Sequence, residues 1–146
     1  MVKQAIWNSV ISLESEHFVG LRQIKEIDLA GNRIKSLDGP KFTFTPNLKT
    51  LRLQNNQMAF VSEDAFEGLS ALEYLDLSSN WLGNIHPDTF TPLPAGLKEQ
   101  IVLNENPLLC NCEIRHLVSW ISRWPKRVLN GKNLRCSHVA GKFCLV

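Results

Sequence analysis

No stretch of this chain is apolar for the roughly 20 residues that a membrane-spanning helix needs, so nothing in it reads as a bilayer anchor. The opening residues, Met1-Val2-Lys3-Gln4-Ala5-Ile6-Trp7, lack the apolar core of about 7–15 residues that marks a secretory signal. Met1 is therefore expected to be an expression start or the start of an internal fragment. Catalytic motifs are absent as well: there is no G-x-S-x-G, no H-E-x-x-H and no phosphate-cradling glycine loop. The histidines, His17, His86, His116 and His138, are scattered, and His86-Pro87 reads as a turn. Neither an enzyme nor a cofactor or metal site is expected. No Asn-x-Ser/Thr sequon occurs, so N-linked glycans are not expected to mask a face. There is one tyrosine, and no aromatic-interleaved basic module suggests nucleic acid.

What the chain does have is a period. Asn8, Asn32, Asn56 and Asn80 stand 24 residues apart. Val10, Ile34, Met58 and Leu82 share the next column, then Leu13, Leu37, Val61 and Ile85, then Phe18, Phe42, Phe66 and Phe90. Self-similarity at such a step is the signature of a solenoid, in which each copy buries its apolar face only against its neighbours. The unit reads L-x-x-L-x-L-x-x-N-x-L. Its copies are Ile24, Ile27, Leu29, Asn32, Ile34; Leu48, Leu51, Leu53, Asn56, Met58; and Leu72, Leu75, Leu77, Asn80, Leu82. A further copy, Ile101, Leu103, Asn106, Leu108, follows a step of 26 around Pro92, Pro94 and Gly96. In the Asn8 copy, Lys3 and Ala5 stand where leucine belongs, so its strand half is expected to be cut short.

This pattern resembles the leucine-rich repeat. The resemblance implies a short strand in each copy and an asparagine whose inward amide bonds the backbone of neighbouring coils. The phenylalanine column is expected to form a spine on the side away from the strands. The expected fold is an α/β solenoid, a short curved horseshoe with a parallel concave β-sheet.

Cysteine is confined to the last 37 residues, as Cys110, Cys112, Cys136 and Cys144. Ile114, Leu117, Val118 and Ile121, with Trp120 and Trp124, make one helical face that Pro125 stops. The run Asn106-Pro107-Leu108-Leu109-Cys110-Asn111-Cys112, then Leu117 and Trp120, resembles the cysteine-rich C-terminal cap of extracellular leucine-rich repeat proteins. Toll-like receptor ectodomains, Slit-type guidance proteins and the variable lymphocyte receptors of jawless vertebrates belong to that group. Sequence alone allows three connectivities, and the family pairing implies Cys110–Cys136 and Cys112–Cys144. Each bridge would close a loop of about 25–32 residues and contribute about 3–4 kcal/mol in the chain-entropy model. The other reading is zinc, held by these cysteines with His116 or His138, although C-x-C is closer than the usual zinc spacing. Bridges imply an oxidising compartment, hence a secreted protein or an ectodomain. Only seven residues separate Cys136 from Cys144, which implies no long binding finger in this cap. The expected division is residues 1–106 as repeats and 107–146 as cap.

Side chains alternate along a strand, so the residues between the leucines are expected to line the concave face. They are Glu26, Asp28 and Ala30; Thr50, Arg52 and Gln54; Tyr74, Asp76 and Ser78; and Gln100, Val102 and Asn104. Tyrosine and arginine are enriched among interface anchors, which singles out Tyr74 and Arg52. Asp28, Arg52 and Asp76 share one column and suggest a row of alternating charge.

Charge is divided unevenly. Residues 110–146 hold seven Lys/Arg against one acid, a net +6, and residues 1–109 hold nine against thirteen, a net −4. The basic end can attract an anionic surface such as bacterial glycolipid, heparan sulfate or acidic lipid, with Arg123, Lys126 and Arg127 as the chosen trio. The sequence therefore predicts an extracellular recognition module. It resembles immune-type receptors that bind a protein or a microbial glycan or glycolipid. The alternative is an adhesion or guidance module binding a host protein. Self-association through the uncapped N-terminal end is a further expectation.

Overall fold

The 24-residue step is the sequence distance from one β-strand to the strand beside it. The computed structural model describes residues 9–94, 101–112, 114–129, 131 and 134–136, together with the backbone of Val2–Gln4 and Ser137–His138. Strands β1 (Val2–Gln4), β2 (Glu26–Asp28), β4 (Thr50–Arg52), β6 (Tyr74–Asp76) and β7 (Ile101–Val102) form one parallel sheet in that order. Two-residue strands β3 (Ser36–Leu37) and β5 (Phe60–Val61) pair separately. The register follows the period: Ile27 pairs with Leu51, Leu51 with Leu75, and Leu75 with Ile101. The step of 26 before Ile101 thus lengthens the connection and leaves the register intact. β1 pairs in the same register, Lys3 opposite Ile27, so the first copy does have its strand. Ala5 and Asn8 lie outside the described residues.

Strands this short survive because each is tied at its exit. The residue after the strand turn is left-handed in every described copy: Gly31, Asn55, Ser79 and Glu105 all have positive φ. That turn drives the following asparagine inward. Asn56 Oδ1 accepts from Ile34 N at 3.1 Å, and its Nδ2 donates to Leu53 O in its own coil and Leu29 O in the previous one, both at 3.0 Å. Asn80 repeats this with Met58 N, Leu77 O and Leu53 O, and Asn106 with Leu82 N, Leu103 O and Leu77 O. The amide thereby satisfies backbone groups that would be costly to bury alone.

The leucine columns fill the interior. Leu51, Leu53, Leu75, Leu77, Ile34, Leu37 and Met58 are completely buried. Opposite the sheet, Phe18, Phe42, Phe66 and Phe90 are buried in a column, with ring centroids 5.2 Å apart for Phe18–Phe42 and 6.4 Å for Phe66–Phe90. Trp120 extends that column, its ring 5.1 Å from Phe90.

Trp120 belongs to α1 (Ile114–Arg123), whose first turn is capped by Asn111 Oδ1 accepting from Ile114 N at 3.2 Å. Leu117 is buried, and Ile114, Trp120 and Ile121 pack against the core. Val118 and Trp124, expected on the same face, are 54% and 42% exposed. A ten-residue helix meeting the solenoid end buries one line of side chains, and these two fall beside it. Beyond the helix, Val128 bridges Ile101 in parallel, so the chain adds one more rung to the sheet.

Cys110, in β8 (Leu109–Cys110), is joined to Cys136, with Cα atoms 5.1 Å apart, and β8 pairs with β9 (Ser137–His138). Cys112 is also in a disulfide, and no described cysteine is free, so the zinc reading of these thiols is overturned. The expected partner of Cys112, Cys144, lies outside the described residues.

Candidate functional site

Alternation along β2, β4 and β6 sets three columns on the side of the sheet opposite the leucines. Glu26, Thr50 and Tyr74 stand opposite one another, then Asp28, Arg52, Asp76 and Val102, and beyond the strand ends Ala30, Gln54, Ser78 and Asn104. Gln100 lies outside the described residues. Across these columns runs a connected row. Arg52 forms an ion pair with Glu26, and its guanidinium carbon lies 5.7 Å from the centre of the Tyr74 ring. The Tyr74 hydroxyl donates to Asp76 Oδ2 at 3.0 Å. Asp76 Oδ1 in turn accepts from Ser78 N at 2.9 Å and from Ser78 Oγ at 2.6 Å.

Asp28, Arg52 and Asp76 do stand in one column, as expected, but the ion pair of Arg52 forms outside it. Both aspartates turn back on their own backbone: Asp28 Oδ1 accepts from Ala30 N at 3.0 Å, as Asp76 does from Ser78 N. An aspartate two residues before a free N–H closes this turn readily. Arg52 accordingly finds its carboxylate in Glu26, diagonally across the strand pair. Asp76 and Ser78 are 9% and 8% exposed, because they are folded into the row. Val102 is 5% exposed, next to Ile101, which carries the added rung. The more accessible members are Glu26, Asp28, Thr50, Arg52, Gln54 and Tyr74, which are half-buried, and Asn104, which is exposed.

Two features of this face were not singled out from the sequence. Lys49 Nζ and Glu73 Oε1 form an ion pair at 2.8 Å along the margin of the sheet. Its signal was opposite charges one 24-residue step apart. Gln54 Oε1 is buried without a hydrogen-bond partner. Nothing in the sequence marks it.

The basic trio differs in its surroundings. Arg123 and Lys126 are exposed. The Arg127 guanidinium lies 5.1 Å from the Trp124 ring centre and donates through Nη2 to Pro94 O. Its Nε is buried without a partner, and burial holds its pKa below the ordinary guanidinium value. Arg127 therefore fastens the added rung to the connection before β7.

A parallel sheet with one strand per 24-residue coil, an internal asparagine ladder and a leucine interior define a repeat solenoid. The Leucine rich repeat family model matches residues 8–58 and 46–108, and the chain belongs to that family. Proteins of this family are typically non-enzymatic modules that bind other proteins. A search of curated proteins returned no match. No helix among the described residues is long and apolar enough to cross a membrane.

Proposed function

We propose that the chain is an extracellular recognition module that grips a protein partner with the sheet face, curved into a concave surface. The observation that carries this is the row Glu26–Arg52–Tyr74–Asp76–Ser78, in which each side chain is held by the next. Side chains ordered before binding lose less entropy when a partner arrives. Tyrosine and arginine are also the residues most often found carrying interface energy. Three bonded cysteines in the C-terminal segment, Cys110, Cys112 and Cys136, support both a cysteine cap over residues 107–146 and an oxidising compartment.

The resemblance to variable lymphocyte and toll-like receptors favours a microbial or foreign surface as the target over a host adhesion partner. The excess of positive charge at the C-terminal end supports a second, weaker contact with anionic glycolipid through Arg123 and Lys126. The outer edge of β1, which has no further strand among the described residues, is where the solenoid would extend or self-associate.

The test is binding of the disulfide-intact chain to whole bacteria and to a panel of host ectodomains, with Tyr74→Ala and Arg52→Glu in parallel. Retention on bacteria that both substitutions weaken supports the reading. Retention only on a host ectodomain moves the chain to the adhesion class. Full binding by the doubly substituted chain removes the sheet face as the site.

A further inference from the structure

On the flank of the solenoid, away from the sheet face, Glu63, His86 and Asp88 converge. Nδ1 of His86 lies 3.2 Å from Glu63 Oε1 and 3.6 Å from Asp88 Oδ2, and the three potential ligand atoms fall within 4.8 Å of one another. Two adjacent coils supply them. Glu63 follows β5, and His86 and Asp88 flank Pro87 at the start of the 3-10 turn Pro87–Phe90 one coil later. From these positions we infer that the cluster is a binding site for a divalent transition metal of the zinc type, bridging the two coils.

The geometry favours an ion over a simple ion pair. A single N–H at Nδ1 can point at one carboxylate, and two carboxylates face this nitrogen. A protonated ring would leave one of them poorly paired, whereas a metal ion takes one ligand atom from each of the three side chains. With metal–ligand distances of about 2.0–2.2 Å, tetrahedral ligands stand about 3.3–3.5 Å apart. The His86–Glu63 and His86–Asp88 separations, 3.2 and 3.6 Å, straddle that edge length. The competing contact, Asp88 N donating to His86 Nδ1, is long at 3.4 Å and exposed, so it gives up little when the ring turns to a metal.

The preceding coil shows what this position does in the fold. There the equivalent of His86 is Ser62, whose Oγ accepts from Gly39 N of the coil before at 2.8 Å and donates to Asp64 Oδ1 at 2.6 Å. Position 62 is thus a coil-to-coil tie completed by an aspartate two residues on. His86 and Asp88 repeat the layout one step later with an imidazole in place of the hydroxyl, and it is Glu63 of the previous coil that the ring reaches. A bound ion makes the same tie with a ligand from each side. Access is provided by a groove of about 630 Å³ whose walls include Glu63, His86, Asn84, Phe60 and, from α1, Ile114 and His116. A fourth coordination position is therefore open to water or to a ligand entering the groove. Imidazole with carboxylates selects zinc-type ions over magnesium or calcium, which prefer all-oxygen shells.

Calorimetric titration of Zn²⁺ alone into the disulfide-intact chain tests this, because no described cysteine is free to compete. One Zn²⁺ per chain is expected, with no comparable heat from Mg²⁺ or Ca²⁺. Co²⁺ should give the visible absorption of a low-symmetry site. His86→Ala should abolish the binding, and Glu63→Gln and Asp88→Asn should each weaken it at least about tenfold, the loss that even indirect supports of a metal produce. His17→Ala should leave it unchanged. All three cluster residues are exposed, so the metal-free melting temperature should hold in each variant and show that the fold is intact. No stoichiometric Zn²⁺ binding below about 1 mM, some 4 kcal/mol, overturns the site. So does wild-type affinity in any of the three cluster variants.

Discussion

The Arg52 guanidinium packs 5.7 Å from the centre of the Tyr74 ring, reaching diagonally from β4 to β6. A double-substitution cycle measures that contact. Arg52→Ala and Tyr74→Ala should each cost about 1 kcal/mol or less, since both side chains are half-buried and Arg52's ion pair is partly solvated. Their coupling should be about 0.5–1 kcal/mol. Tyr74→Phe should keep that coupling and lose only the bond to Asp76 Oδ2. Chemical denaturation gives all of these values, and zero coupling would mean that the row is an array of independent side chains.

The asparagine ladder should be more sensitive than the surface row. Asn56→Ala strands Ile34 N inside the solenoid and removes one of the two side-chain donors to the carbonyls of Leu29 and Leu53, which keep those of Asn32 and Asn80. At about 1–3 kcal/mol for the unmet N–H and about 0.5–1.5 kcal/mol for each of the two lost bonds, with relaxation recovering part, the expected loss is roughly 2–5 kcal/mol. Asn56→Asp should also destabilise, because a carboxylate accepts and cannot donate to those carbonyls. A loss under about 1 kcal/mol for Asn56→Ala would show that water reaches the ladder.

Side chains one residue apart on β6 should respond oppositely. Leu75→Ala removes a fully buried side chain and should cost about 2–5 kcal/mol. Tyr74→Ala should weaken partner binding with far less effect on the melting temperature. Equal destabilisation by both would place Tyr74 in the core and remove it from the binding face.

The period made most of this fold legible. A column rule at 24 residues locates the strands, the buried leucines, the ladder and the phenylalanine spine, because each coil must meet the same neighbours in the same way. What the period cannot carry is any contact that leaves its column. Arg52 pairs with Glu26 because Asp28 is already committed to Ala30 N, a local competition that the column view omits. Proximity in sequence groups Arg127 with Arg123 and Lys126, and only the parallel bridge of Val128 to Ile101 reveals why it turns inward. Glu63 and His86 come together because the coil that bears Pro87 lies beside β5. No local motif contains both residues.

Gly68 tests how tightly the coils are stacked. Its φ is +86°, and a Cβ there would stand 2.8 Å from Thr43 Cα of the preceding coil. Gly31 is also left-handed, at +69°, but a Cβ there would meet nothing within 4 Å. Gly31→Ala should therefore cost only the conformational term, about 1 kcal/mol. Gly68→Ala adds a backbone clash and should cost clearly more, about 2–4 kcal/mol in total. Similar losses in thermal unfolding would show that the backbone at residue 43 yields freely.

The different surroundings of the three basic residues near Pro125 should separate stability from charge. Arg127→Glu removes the bond to Pro94 O and the stacking on Trp124, and it puts a carboxylate into a half-buried site. A loss of about 1–3 kcal/mol is expected, since a bond from a charged donor and a cation–π contact are both removed. Arg123→Glu with Lys126→Glu should change the melting temperature little. That pair should instead weaken binding to vesicles containing anionic lipid, because it lowers the C-terminal charge from +6 to +2. The difference should shrink as salt shortens the screening length from about 10 Å at 0.1 M to about 3 Å at 1 M. Vesicle binding that ignores both salt and the paired substitution would leave the basic end with no role in surface attachment. Unchanged stability in Arg127→Glu would mean that the rung carrying Val128 is held by its backbone bonds to Ile101 alone.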